Sequence, residues 1–555
     1  MKFIRDKKSI LLVLPVLYFI TACLFIYYIR PFYSAYFDPT YVYLLNGTDI
    51  ASGHFIVGNI IHPGTPVDIL TAIVIFVKHL FAGDKNILYQ DVLLHPESYL
   101  LACSIVLIVL FVHATYFAGR YIYSHTGNLL LALLFQLPPL LYREMVQRTV
   151  LLSAESLMVI VNMYFMPYIY IHTIYRKQLP GREITIKSVL FFGLFTALLF
   201  TIKVYCGLFC LLILFLLNNW RQRILYLISH TALALLLLFP VYRCFRDWLG
   251  TMKSTVFHQG AYGQGSSGLI NTVVYRNNIL AIVTTHYIFC LVYLFVIVAF
   301  VIGTLKVLRD KKGIPGFISP ITGIFLFFTL FIFMIAKQYT IIYPEPVTHE
   351  LITITKYYYF IPLIGCFPLF LLVAYQQISL YKSFNFFGFN AQKAGYALLF
   401  VFVIIGGIRT YGSCYMARTQ DITPEATSAF LEKWKSTPLI IVSDGNKSCV
   451  QPALFLGIAF SGPWGVSEYT DFVKKIYPDT YLYTTYNNEL VNWGEKSDIS
   501  SILKKNKQTL VYVSGKDSAT TPLILAGIGG GKYSKIYNNS DKYENIYLLK
   551  PDTVR

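Results

Sequence analysis

The residues best suited to chemistry are a few charged side chains set beside long apolar runs. Asp38 lies in Arg30-Pro-Phe-Tyr-Ser-Ala-Tyr-Phe-Asp38-Pro39, directly after the first apolar run. Ionisable groups at membrane depth are costly, so each is a functional candidate. A carboxylate there, kept ionised by a nearby cation, can take a proton from a hydroxyl. The local alternative is structural: Asp is a favoured N-cap and Pro a favoured first helical residue, so Asp38 can simply start a helix through about Ile50. Glu155, in Arg148-Thr-Val-Leu-Leu-Ser-Ala-Glu155-Ser156, is either a second carboxylate of the same cavity or a first-turn acid favoured by the helix dipole. Arg143, Glu144 and Arg148 flank it, so some of these charges pair among themselves.

Lys203 stands alone between two apolar stretches, where an ammonium either snorkels to headgroups or binds a lipid phosphate. Lys337, His349 and Lys356-Tyr357 form a second basic and aromatic group, with ordinary loop residues as the plainer reading. His258-Gln-Gly-Ala-Tyr262-Gly-Gln-Gly265 is a glycine-rich loop able to approach a ligand closely. His62 and His54 follow no metal-ligand spacing with Asp38. Thr65-Pro66-Val67-Asp68 reads as a capping box, and Asn46-Gly-Thr48 as a formal glycosylation sequon.

These residues must be positioned by apolar helices. The chain has 555 residues, 56% hydrophobic and only 13% charged, outside the range of ordinary soluble domains. Apolar runs recur at 9–29, 98–119, 128–142, 150–175, 188–203, 205–218, 224–242, 280–307, 317–336, 357–376 and 394–411, giving about 11 transmembrane helices. The net charge of +18 is spread over short loops, which argues against nucleic-acid binding and for the positive-inside rule. The run 9–29 is too long for a signal-peptide core and reads as a retained helix with a cytoplasmic N-terminus.

Keeping the basic loops 176–187, 221–223 and 306–312 on the cytoplasmic side decides two ambiguous runs. Residues 66–81, about 24 Å of helix, lie on the outer face, and 188–218 form two short helices joined at Lys203. Segments 30–97, 143–149, 243–279 and 337–356, the tip at Lys203 and the tail from 412 then share the outer side.

The tail changes composition. A helix from Pro424-Glu425 to about Lys435 and strands at Leu439–Ser443, Thr509–Val513 and Asn545–Leu549 indicate a small α/β or α+β domain. Gly527-Ile-Gly-Gly-Gly-Lys532 departs from a P-loop at Ala526 and Tyr533 and reads as a turn. No Cys pair has zinc or redox spacing; a bridge among Cys244, Cys414 and Cys449 is left open.

The order of these features resembles the GT-C membrane glycosyltransferases, particularly the branch of lipid A aminoarabinose transferases and protein O-mannosyltransferases. The matching residues are Asp38 in Tyr-Phe-Asp-Pro, the helix 66–81, Gly193-Leu-Phe-Thr…Thr201-Ile-Lys203, Pro240 closing a span, and Lys356-Tyr-Tyr-Tyr-Phe-Ile-Pro362. The likeness covers roughly 9–376. It departs from the branch in having a single Asp followed by Pro, and Glu155 where an aspartate is usual.

The resemblance implies an all-α, GT-C-like catalytic domain at 1–411, with 30–97 as the first outer loop, and an extracytoplasmic domain at 412–555. It implies a bacterial inner-membrane enzyme with a periplasmic tail. Such an enzyme moves a sugar from a polyprenyl-phosphate donor to a glycan, lipid or protein acceptor, with inversion. Asp38 is then the general base, with Glu155 a second catalytic carboxylate. Lys203, Arg148, Lys337, Lys356 and Tyr357 hold the donor phosphate, and His62, His258 and Tyr262 belong to the substrate loops. No cofactor is required, and a divalent metal is left open. Two other classes fit the composition. A flippase or transporter of lipid-linked glycans predicts charges deep within spans and repeated halves, and an envelope assembly protein predicts a tail that is the active part.

Overall fold

A computed structural model describes residues 7–35, 37–59, 64–82, 87–141, 143–175, 184–217, 219–256, 272–287, 289–291, 293–294, 297–298, 301, 320–338, 340–344, 351–355, 357–369, 371–372, 404, 408, 425–442, 448–484, 489–514, 520–529, 531–539 and 544–551. The chain is mostly helical, with a sheet confined almost wholly to its C-terminal part.

The helical part begins with α1 (Val13–Ile29), α2 (Phe37–Ala51), α3 (Thr65–Ala82), α4 (Pro96–Thr126), α5 (Leu129–Gln136), α6 (Arg143–Thr149) and α7 (Ala154–Ile169). It continues through α8 (Ile186–Ile202), α9 (Leu208–Leu216), α10 (Trp220–Leu237) and α11 (Pro320–Gln338). Among the described residues, Pro96–Thr126 and Ala154–Tyr175 are long and apolar enough to cross a membrane, and a third span arises if the pair bent by 79° after Leu237 counts as one. Four other apolar helices are shorter. The expected run 128–142 is broken at Leu137, because Pro138 has no N–H to continue α5. Pro167 lies inside α7 near its end, after which the helix continues as a π-helix over Tyr170–Tyr175.

Side-chain contacts give helix directions. His113 with Tyr164, and Tyr121 with His172, are each 51 positions apart, so α4 and α7 run parallel. Thr196 meets Tyr226, and the Gln222 amide donates to the Ile184 carbonyl, so α8 and α10 also run parallel. Two successive apolar helices can be parallel only if the chain returns between them, and α9 makes that return. The region 188–218 is therefore two helices joined at Lys203, as its charge pattern required. The Gln222–Ile184 contact also brings the ends of two basic loops together at 184 and 222. Gln136 ties three helices: its side-chain amide donates to Leu11 O at 2.9 Å and Thr115 O at 3.1 Å, and its backbone carbonyl accepts from the Tyr18 hydroxyl.

Several helices leave an apolar stripe uncovered. On α1 these are Val13, Val16, Ile20, Leu24 and Tyr27; on α3, Ile73, Phe76, Val77, Leu80 and Phe81. Spacings of three and four put each set on one helix face. The opposite face of α3, with Val67, Thr71 and Ile75, is buried.

A two-stranded ribbon, β1 (Thr340–Pro344) with β2 (Leu351–Thr355), precedes the C-terminal part. There α12 (Glu425–Glu432), β3 (Leu439–Val442), α13 (Gln451–Ala459), α14 (Pro463–Ile476), β4 (Thr480–Thr484), β5 (Glu489–Asn492), β6 (Glu495–Lys496), α15 (Ile499–Lys505), β7 (Thr509–Ser514), α16 (Thr520–Ile528), β8 (Lys532–Asn539) and β9 (Glu544–Lys550) follow in order. The seven-stranded sheet has the order β6-β5-β4-β3-β7-β9-β8, parallel at β4-β3-β7 and antiparallel elsewhere.

Alternation along β3 sends Ile440 and Val442 to the face covered by α15 and α16, and Ile441 to the face shared with Phe430 and Trp434. The three strands expected from sequence are β3, β7 and β9. The glycine run at 527–532 is a helix end: Gly529, at φ 72°, caps α16 and leads into β8, the reverse of a P-loop's strand-to-helix order. Helices α13 and α14 belong to the core of the helical part, with Leu454, Tyr469 and Val473 buried among its residues.

Candidate functional site

Helices α7 and α8 run antiparallel. His172 hydrogen-bonds Ser188 at one end, Phe165 stacks on Phe195 in the middle, and at the far end the same register sets Glu155 against Lys203. The two form a buried ion pair, with side chains 5% and 4% exposed. Local sequence prepares both positions. Ser153 caps α7 by accepting from Ser156 N–H, which puts Glu155 in the first turn. Lys203 is the extended residue (ψ 124°) between α8 and a short 3₁₀ turn at Val204–Gly207.

The pair has company. Arg148 lies close enough for its charge to act on the Glu155 carboxylate. The Lys203 ammonium is 5.9 Å from the Tyr205 ring centre and 5.6 Å from that of Tyr359. Tyr205 packs edge-on against Tyr359 and directs its hydroxyl at the Met158 sulfur. The parallel register of α4 and α7 places Glu155 level with Ser104, seven residues along α4 from Glu97, or roughly 10 Å along the axis. The cluster thus sits where the ends of α7 and α8 meet, buried and set inward from the start of α4.

Lys203 was expected at an exposed tip, free to snorkel or to take a phosphate; it is buried and paired with Glu155. The physical reason is cost: neither charge is tolerable alone in so apolar a setting.

The other candidates are placed less fully. Asp38 is the second residue of α2, which begins at Phe37, ahead of the Pro39 start that a cap at Asp38 requires; its side chain lies outside the described residues. The side chains of Arg143, Glu144, Lys337 and Tyr357 lie outside them too, as do the whole residues His62, His258, Tyr262, His349, Lys356 and Cys414. His54 stacks on Trp464 at 3.9 Å. Cys244 and Cys449 carry free thiols. No group of three metal-ligating side chains occurs among the described residues.

Two readings are corrected. Asn46, the sequon asparagine, is fully buried, its amide donating to Val42 O and Phe460 O at 2.8 Å each, so it cannot carry a glycan. Asp68 does not close a capping box: Gly64 O accepts from Val67 and Asp68 N–H, and both Asp68 oxygens are buried with no hydrogen-bond partner among the described residues. Burial, with Asp49 nearby, pushes the Asp68 carboxyl well above the usual carboxylate range.

Two carboxylates carry contacts that sequence reading passed over. Asp49, at the end of α2, accepts from Gly462 N–H at 2.8 Å and Tyr469 O–H at 2.7 Å, joining α2 to α14 across more than 400 positions. Burial pushes its carboxyl up to about 7. A side chain on Gly462 would overlap Ile56 O, and one on Gly465 would overlap Asp49 itself. Glu97, the second residue of α4, accepts from Phe32 N–H (2.8 Å), Tyr33 N–H (3.1 Å) and Tyr41 O–H (2.9 Å), fixing the segment just before Asp38. An aspartate directly after an apparent sequon, and a glutamate after His95-Pro96, gave no sign of partners so far away. No family model and no curated protein sequence matches this chain.

Proposed function

We propose that the protein is an integral-membrane glycosyltransferase of GT-C type that transfers a sugar from a polyprenyl-phosphate donor to an extracytoplasmic acceptor with inversion. The uncovered apolar stripes of α1 and α3 support a lipid setting, as do helix directions that bring the ends of two basic loops together. The observation that carries the reading is the buried Glu155–Lys203 pair with Arg148 near it, flanked by Tyr205 and Tyr359. Two cations face one carboxylate there, in apolar surroundings where charge is retained for use.

In this reading Asp38 takes the proton of the acceptor hydroxyl as its oxygen bonds to the anomeric carbon. The bond from that carbon to the phosphate oxygen breaks, and the negative charge passes to the lipid phosphate. Arg148 and Lys203 stabilise that charge, with Lys337, Lys356 and Tyr357 as further contacts. Glu155 holds Lys203 in place and offsets its charge until the phosphate arrives. The domain 412–555 forms the extracytoplasmic wall.

The test is transfer from radiolabelled polyprenyl-phosphate sugars in membranes containing the protein. Asp38→Asn should abolish transfer with expression unchanged. Undiminished transfer removes Asp38 as base, and no transfer by the wild type across a panel of such donors overturns the reading in favour of a transporter or scaffold.

A further inference from the structure

A cavity of about 560 Å³ lies where the sheet's amino edge meets the helical part. Its wall includes the first residues of β3 and β4, Leu439 and Thr480, together with the ends of α12 and α14 and the start of α13. Tyr33, from the segment that Glu97 fixes, closes the side toward α2. The volume falls within the range of small-molecule sites.

The lining combines aromatic residues with hydrogen-bonding groups. Trp434, Tyr477 and Tyr33 supply rings; Glu432, Asp479 and Gln451 supply acceptors. The Gln451 side-chain oxygen is buried with no hydrogen-bond partner among the described residues, so it has the capacity to accept from a ligand. Behind the wall the buried Glu544 carboxylate accepts from Thr427 (2.6 Å), Ser448 (2.5 Å) and Tyr512 (2.5 Å), locking α12 and the 448 turn to β7 and β9.

Each feature narrows the ligand. An acyl chain has no use for so many acceptors. A phosphate or nucleotide needs cations, but Lys435 is held by Glu432 at 2.9 Å, and a second carboxylate, Asp479, also lines the cleft. A pyranose matches both halves of the lining: its C–H face packs on aromatic rings, and its hydroxyls donate to carboxylate and amide oxygens.

We propose that this cleft binds a neutral or amino sugar and is the acceptor site, the latter part resting on the transferase reading above. Tyr33 precedes Asp38 by five residues, so its wall lies within about 18 Å of the base along an extended chain. A sugar bound in the cleft can therefore lead the remainder of its glycan toward Asp38.

The test measures binding directly, without transfer. Full-length protein in detergent is applied to an array of neutral, amino and acidic mono- and oligosaccharides. Trp434→Ala and Asp479→Asn are compared with Trp220→Phe, a change at an exposed residue of α10. We expect binding of at least one neutral or amino sugar, weakened roughly tenfold or more by either cleft variant and unchanged by Trp220→Phe. No binding to the array, binding of acidic sugars alone, or binding insensitive to both cleft variants overturns the proposal. Hydrogen exchange of β3 and β7 shows whether a variant has merely unfolded the domain, in which case Tyr33→Ala, outside the domain's own fold, decides by the same threshold. Sugar binding without transfer from any polyprenyl donor leaves the cleft standing and removes the transferase reading.

Discussion

Lys203→Met removes an ammonium that is 4% exposed and leaves the Glu155 carboxylate, 5% exposed, without its nearest counter-charge. Breaking one partner of a buried pair costs about 3–5 kcal/mol, whereas replacing both by apolar groups is often neutral. Here the two single variants should not be equal. Arg148 stays beside Glu155 when Lys203 is lost, so Lys203→Met belongs near 3 kcal/mol. Glu155→Leu instead leaves the ammonium buried with Arg148 as a like charge nearby, and belongs near 5 kcal/mol. The double variant should lose less than either single one, although simple addition gives roughly 8 kcal/mol.

Unfolding in mixed micelles by increasing SDS fraction, followed by tryptophan fluorescence, measures all four proteins on one scale. Additive losses would refute the argument, because then the two side chains do not sense each other and the α7–α8 register is wrong. The double variant also separates stability from chemistry. Under the transferase reading it folds nearly as well as the wild type but transfers slowly, having lost the cation that meets the leaving phosphate.

Two further outcomes follow from the contact between α2 and α14. The Asp49 carboxyl titrates near 7 in the folded protein against an ordinary value of 3.8, so the folded state binds more protons between those values. Stability of the contact should therefore fall as pH rises from about 4 to about 7, by at most about 4 kcal/mol, and level off above that; hydrogen exchange of α14 should show the fall, and Asp49→Asn should flatten it. Gly462→Ala should weaken the same contact by about 1–3 kcal/mol at any pH, since its methyl overlaps Ile56 O; increased proteolysis between α2 and α14 would register it, and wild-type resistance would contradict the close approach.

Local patterns in the sequence proved legible wherever a single element decides them. The break at Lys203, the apolar helix at 66–81 and the strands β3, β7 and β9 depend on composition and period within a few turns or a strand's length. The helix capacity of 128–142 and 150–175 was legible too, but not the interruption at Pro138, where a missing N–H outweighs apolar character. Asp38, Glu155 and Lys203 stood out by type and place alone.

Whether such charges meet is a different matter, since it depends on helix direction and register. Glu155 reaches Lys203 only because His172 and Ser188 align at the other end of α7 and α8. Asp49, Glu97 and Glu544 looked ordinary in sequence because the groups they accept from lie tens to hundreds of positions away. Sequence by itself determined which segments are apolar, where they break and which charges are too costly to be incidental. Tertiary structure alone decided which of those charges are paired and which buried acid, Asp68, has no partner among the described residues. The reason is that desolvation and hydrogen bonding act over a few ångströms of space, whatever the separation along the chain.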